Sequence, residues 1–233
     1  MRFLIHVIIG FLIGSCAAIP ADHGPVIKEA RTLAAFKGMN TSGVMEVDFT
    51  PAEVIKLSVE APEDILKKVI TEVDGKTLKI YLENGNYELD QPIKVHVEGP
   101  DLQSVKMSGA TRMVMNSPLN GNEFDLTLSG ASTFSGTIHM KKIHVDLSGA
   151  SKAEIAGTTR DLIAGVSGAA KLKAGKLSSS VTEIKCAGAS TGIVRADSTL
   201  IAEASGVSSI SYSGNAKVIE KETSGYSSIH RGN

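Results

Sequence analysis

Along residues 105–229 the apolar positions obey one code, written seven times. Two side chains spaced two apart precede a Ser-Gly pair. They are Val105 and Met107, Leu126 and Leu128, Val145 and Leu147, Ala164 and Val166, Ile184 and Cys186, and Ala202 and Ala204. Lys221 and Thr223 hold these places before the last pair. Alternation with a period of two predicts a strand with one buried face. Four residues past each glycine come Met113, Phe134, Ala153, Leu172, Gly192, Ile210 and Ile229, mostly apolar, each directly preceded by a polar side chain. The pattern fades in the seventh copy, which predicts a terminal coil open to water.

The copies read SGATRM, SGASTF, SGASKA, SGAAKL, AGASTG, SGVSSI and SGYSSI, starting at residues 108, 129, 148, 167, 187, 205 and 224. A period near 20 predicts a stacked repeat architecture, in which each copy is one coil of a β-solenoid. With rungs about 4.8 Å apart, seven coils make an array roughly 30–35 Å long. Glycine at one fixed place permits a bend that a Cβ resists, and serine beside it bonds locally to the bent backbone. The candidate corner residues are Ser108 and Gly109, Ser129 and Gly130, Ser148 and Gly149, Ser167 and Gly168, Gly188, Ser205 and Gly206, and Ser224 and Gly225. Ala187 replaces serine in the fifth copy. A weaker glycine set, Gly121, Gly136, Gly157 and Gly175, predicts a second corner.

The first half is less regular. TSGVMEVDF at 41–49 carries the same Ser-Gly. IKLSVEA at 55–61 and LKIYLEN at 78–84 predict strands, and VDGKT at 73–77 a turn. PEDILKKV at 62–69 predicts a short helix, with Pro62 at its first turn, acids next and lysines last. Residues 33–104 read as a capping part and 105–233 as regular coils of one all-β domain. A cap of this kind protects the end of a stack from edge-to-edge association.

The N-terminus adds a different signal. Arg2, the apolar run from Phe3 to Ile13 and Ile13-Gly14-Ser15-Cys16 fit a lipoprotein-type signal peptide over 1–15. Cys16 is then the lipidation site, followed by a tether over 16–32. Ala17, in place of an acid, points to the outer membrane. Cys186 is then left without a partner, so no disulfide framework is expected.

Composition narrows the chemistry. The formal net charge is −1, Trp is absent and glycine is abundant at 23. No basic patch is visible, which argues against nucleic acid. Acids in the array occur singly, although Asp125 and Asp146 could stack on one face. His139 and His144 lack any metal-ligand spacing, and the lysines of MKKIH at 140–144 read as a solvated edge. A serine repeated in register is structural, whereas a catalytic one is singular. No catalytic residue, metal site or cofactor is therefore assigned. Tyr212 and Tyr226 are the aromatics of the last four copies, fit either for sugar contact or for shielding the last layer.

Several segments carry a resemblance. The opening FKGMNTSGVMEVDF, TEVDGKTLKIYLENG, IKVHVEGPDLQSVKMSGA and the SGA ladder together resemble the putative auto-transporter adhesin head GIN domain family, over residues 33–233. The resemblance implies a right-handed parallel β-helix and an envelope role in adhesion, without established catalytic residues. The reading is a non-enzymatic, lipid-anchored envelope protein that binds a surface polysaccharide or an envelope protein. It meets the membrane through its N-terminal lipid alone, with homo-oligomerisation open. The alternatives are a β-helical carbohydrate-active enzyme or an envelope structural protein.

Overall fold

The computed structural model describes residues 24–87 and 89–232. The signal segment, Cys16 and the first part of the tether lie outside the described residues. The chain runs β1 (Val26–Arg31), β2 (Gly38–Pro51), β3 (Lys56–Pro62), α1 (Glu63–Leu66), β4 (Val69–Asp74), β5 (Thr77–Leu82), β6 (Ile93–Gly99) and β7 (Ser104–Met115). It continues with β8 (Leu119–Leu128), β9 (Thr133–Leu147), β10 (Lys152–Val166), β11 (Lys171–Cys186), β12 (Thr191–Ala204), β13 (Ser209–Ser213), β14 (Lys217–Thr223) and β15 (Ser228–Arg231).

The strands from β7 onward stack in parallel as a β-solenoid. The register is the one that the repeats require: Leu126 pairs with Val145, Val145 with Ala164, Ala164 with Ile184 and Ile184 with Ala202. Leu128, Leu147, Val166, Cys186 and Ala204 form the neighbouring column. Both columns point inward and are buried. A parallel ladder buried on one face rewards this identity of register, because a one-residue slip would turn every apolar side chain outward.

Volume is balanced between rungs. Ala153 sits between Phe134 and Leu172. A Cβ on Gly192 would lie 2.5 Å from Ile184 Cδ1, so Ile184 occupies the space that Gly192 leaves. Phe124 and Phe134 pack with ring centroids 6.1 Å apart. Close packing of this kind makes each rung's shape depend on its neighbours.

The N-terminal end is closed by strands of opposite direction. β6 pairs in parallel with the second half of β2, β3 pairs antiparallel with β6, and β1 pairs antiparallel with β3. β5 covers the first half of β2 and carries β4 antiparallel upon it. Part of the span read as a tether is therefore strand: β1 is held at Arg31, whose guanidinium donates to the carbonyls of Val69 at 2.5 Å and Leu66 at 3.0 Å. The helix is shorter than its sequence suggests. Only Glu63–Leu66 are helical, Ile65 and Leu66 are buried, and Val69 already starts β4.

The second glycine set does not stack. Gly136 pairs with Ile155, and Gly157 with Ile138 and Leu177. These glycines lie inside β8–β11, where each serves its own local contact.

Candidate binding surface

The corner is built one rung upon the next. Gly109, Gly130, Gly149, Gly168, Gly188, Gly206 and Gly225 all have φ between 66° and 77°. A Cβ on any of them would meet the carbonyl oxygen of the glycine one rung earlier at 2.6–2.9 Å, beginning with Gly43 beneath Gly109. The residue after each glycine uses that same oxygen: the amides of Ala131, Ala150, Ala169, Ala189, Val207 and Tyr226 donate to it at 2.8 Å. Ser129, Ser148 and Ser167 each donate both amide and hydroxyl to the carbonyl of the residue just before the Ser-Gly pair below, the hydroxyls at 3.3 Å. In the remaining rungs Ala187, Ser205 and Ser224 make the amide bond. Ser108 pairs with Ser42 of β2.

A second hydroxyl column lies inside the corner. Thr111, Ser132, Ser151, Ser190 and Ser208 are buried. Thr111 and Ser132 donate to the carbonyls three residues back, at 2.9 and 2.8 Å, and Ser190 and Ser208 to carbonyls of the rung below. Ser151 Oγ has no partner. Sequence reasoning missed this column, since serine after Ser-Gly-Ala reads as solvated. The available signal is that the position holds Thr, Ser or Ala in all seven copies and never a charge.

On the outside, the corner presents a ridge of small side chains that ends in larger ones. Ala110, Ala131, Ala150, Ala169 and Ala189 are exposed along it. Val207 is 68% exposed and Tyr226 92%. Tyr226 therefore shields nothing, while Tyr212 is half-buried against the core.

Grooves mark the coils both beside the ridge and away from it. One, of about 370 Å³, runs beside the serines with Leu147, Val166 and Cys186 as floor and Asp146, Lys185 and Glu203 around it. It opens at Gly165, where a Cβ would meet Asp146 Oδ1 at 2.9 Å. Lys185 Nζ pairs with Glu203 at 3.1 Å, and that bond raises the lysine's pKa. A second groove, of about 350 Å³, gathers Glu123 and Asp125 with Lys141, Lys142 and Arg160.

Other candidates are placed apart. Asp125 faces His144, 3.7 Å away, while Asp146 lies opposite Thr127 and Gly165, so the two acids occupy different columns. His139 Nδ1 is 2.9 Å from Thr158 Oγ1, away from His144. Cys186 is 2% exposed, and burial pushes its thiol up to about 11. Asp197 is held below the usual carboxylate range, first by the Ser178 hydroxyl at 2.5 Å and then by Arg195. Among the described residues no three His, Cys, Asp or Glu side chains converge as a metal ion requires.

Solved structures share this architecture. A protein of Bacteroides fragilis, described as a putative adhesin, matches with a TM-score of 0.81 at 17% identity, covering 89% of this chain and 97% of its own. A Parabacteroides distasonis protein described as a putative adhesin gives 0.73 at 19% identity, covering 90% and 98%. Another from that organism, described as a putative lipid binding protein, gives 0.71 at 19% identity, with the same coverage. These identities show the fold alone. No curated protein is significantly similar in sequence. Residues 35–216 match a family model spanning most of the solenoid, and the chain belongs to the family described as putative auto-transporter adhesin, head GIN domain.

Proposed function

We propose that this protein is a non-enzymatic, adhesin-like binding module of the cell envelope, anchored in the outer membrane by a lipid on Cys16. The observation that carries the reading is the repetition of the exposed surface. The ridge recurs as Ser-Gly-Ala on four rungs, as Ala-Gly-Ala on the fifth and with Val207 and Tyr226 on the last two, and a shallow groove lies beside it. Weak contacts repeated along an axis gain strength through multivalency. Tyr226 at the tip supplies the aromatic face on which a sugar ring stacks. A glycan array with residues 24–233 tests the reading. Glycan capture, or loss of cell attachment when the protein is deleted, supports it; cleavage of a polymer by the domain overturns it. Cys16→Ser tests the anchor, and the expected result is release from the membrane fraction.

One observation favours a second reading, a β-helical carbohydrate-active enzyme. Glu123 and Asp125 share a groove with Lys141, Lys142 and Arg160, an acid-and-base grouping of the kind that polysaccharide elimination uses. In the ridge groove, by contrast, Lys185 is kept protonated by Glu203 and is unsuited to act as a base. Incubation with polygalacturonate and calcium separates the readings, since an eliminase releases unsaturated ends and a binder returns the polymer intact.

A further inference from the structure

The rungs are unequal, and the inequality makes a groove. β11 runs 16 residues and β12 runs 14. Their ladder holds through Ala174 with Val194 and resumes at Ser178 with Arg195. Gly175, Lys176 and Leu177 therefore have no counterpart in β12. β10 and β11 also slip between Glu154 and Ala156. Both irregularities open into one groove of about 490 Å³.

Its floor is apolar: Met115, Ile155, Ala156 and Ile193. Ser135 and Thr137 add hydroxyls to one wall, and Glu154, Lys173 and Lys176 form the rim. Two glycines keep it open. A Cβ on Gly136 would lie 2.8 Å from Met115 Cγ, and one on Gly175 3.3 Å from Ile193 Cγ2. The lining comes from β7, β9, β10, β11 and β12, so the groove crosses four rung spacings, about 19 Å along the axis.

The rim carries an excess of positive charge. Lys152 and Lys173 both approach Glu154 Oε2, at 3.8 and 3.9 Å. Lys171 is the register partner of Lys152, and Lys176 projects from the step. Two ammonium groups thus share one carboxylate, and Lys171 and Lys176 add further positive charge on β11. The contacts to Glu154 are long and exposed, so they are weak and easily exchanged for another anion.

We infer that this groove binds a segment of an acidic polysaccharide, with sugar rings over the half-buried Ala156 and Ile193 and carboxylates on Lys173 and Lys176. The inference rests on the adhesin-like reading and names the ligand class for it. Length excludes a single small anion as the natural fit. A peptide is disfavoured because β9, β10, β11 and β12 pair with one another on both sides. Outside the three-residue step, no free strand edge is offered for peptide addition. Small apolar patches with hydroxyls and mobile cations suit the C–H faces, hydroxyls and spaced carboxylates of a uronic-acid chain.

The test is calorimetric titration of the full chain, in detergent, with oligogalacturonates and with neutral dextran oligomers. Binding of the acidic oligomers alone is expected, weakened by added salt. The double variant K173E/K176E should weaken it about tenfold, a loss of about 1.4 kcal/mol. K67E/K76E, with the same change in net charge on exposed side chains of the N-terminal part, should leave it unchanged. Circular dichroism and melting of both variants verify that the exposed substitutions keep the fold. Equal losses in the two variants would overturn the groove assignment. Glycan binding untouched by K173E/K176E would overturn it too, while leaving the adhesin-like reading intact. Capture of the Cys16→Ser chain by phosphatidylglycerol vesicles without any oligosaccharide binding would overturn it in favour of a lipid surface.

Discussion

Gly130 lies directly over Gly109. A Cβ added to Gly130 would sit 2.7 Å from the Gly109 carbonyl oxygen, and the Ala131 amide donates to that oxygen at 2.8 Å. Glycine is needed twice here, for a positive φ of 66° and for the closeness of the rung below. Gly75 separates the two needs, because it has φ 60° in a hairpin turn with nothing within 4 Å of its Cβ position. Gly75→Ala should cost about 1 kcal/mol, from the backbone alone. Gly130→Ala should cost about 3 kcal/mol, strain and clash together. Urea denaturation of the two variants measures the difference, and equal costs would mean that the stacking adds nothing.

The inner hydroxyl column yields a paired prediction. Ser132 and Ser151 occupy equivalent buried places, but only Ser132 has a partner, donating to the Ser129 carbonyl at 2.8 Å. Removing a satisfied hydroxyl loses its bond, whereas removing an unsatisfied one relieves a desolvated group. Ser132→Ala should destabilise by about 1 kcal/mol, and Ser151→Ala should be neutral or stabilising. The next rung already carries alanine, Ala170, at this position. Melting temperatures of the two variants decide the matter.

The periodic part of this molecule was legible because its constraints are written in residue type. A column needing positive φ accepts glycine, so Gly109 to Gly225 announce themselves at intervals near 20. Inward columns such as Leu126, Val145, Ala164 and Ile184 announce the strand face by alternation. Ser151 and its equivalents escaped because a corner hydroxyl that bonds inward has the same letter as one that faces water. The groove at Gly175 escaped for another reason. The intervals of 20 and 18 residues around it show that one rung is longer, but not where the surplus leaves the ladder. That is settled by packing between Gly175 and Ile193, a contact between different rungs.

Cys186 offers a probe of local opening. It is buried in the column between Val166 and Ala204, and desolvation raises its thiol from 9.0 to about 11. Between these values the unfolded chain loses the proton and the folded chain keeps it. Its contribution to stability is therefore full below pH 9 and is lost as pH rises to about 11. Alkylation by iodoacetamide at pH 8 should be slow for the native protein and fast in denaturant. Rapid native alkylation would show that this rung opens readily. Cys186→Ala should remove the thiol's share of the decline in stability between pH 9 and 11.

The last rung explains how the stack ends. Lys221 pairs with Ala202 and Thr223 with Ala204, so both fall in register with the inward columns of the rung before. Leu200 pairs with Val218 but Ile201 pairs with Glu220, so a bulge at Ile219 precedes them. All of β14 is exposed. A charge in a core-facing slot together with a bulge disfavours the addition of a further rung, since the incoming strand would bury an ammonium group against an apolar face. The N-terminal end is guarded differently, by the antiparallel strands β3 and β1. Lys221→Leu replaces the charge with the side chain type found at Leu126 in the same column. It should turn the C-terminal end into an adhesive edge flanked by Val218 and Ile219, and sedimentation velocity should show dimers or longer species that the parent chain does not form. Lys221→Arg, which keeps the charge, should sediment like the parent. If Lys221→Leu also remains at the parent's sedimentation coefficient, the bulge and the irregular last coil suffice to terminate the stack, and the lysine is not its stop.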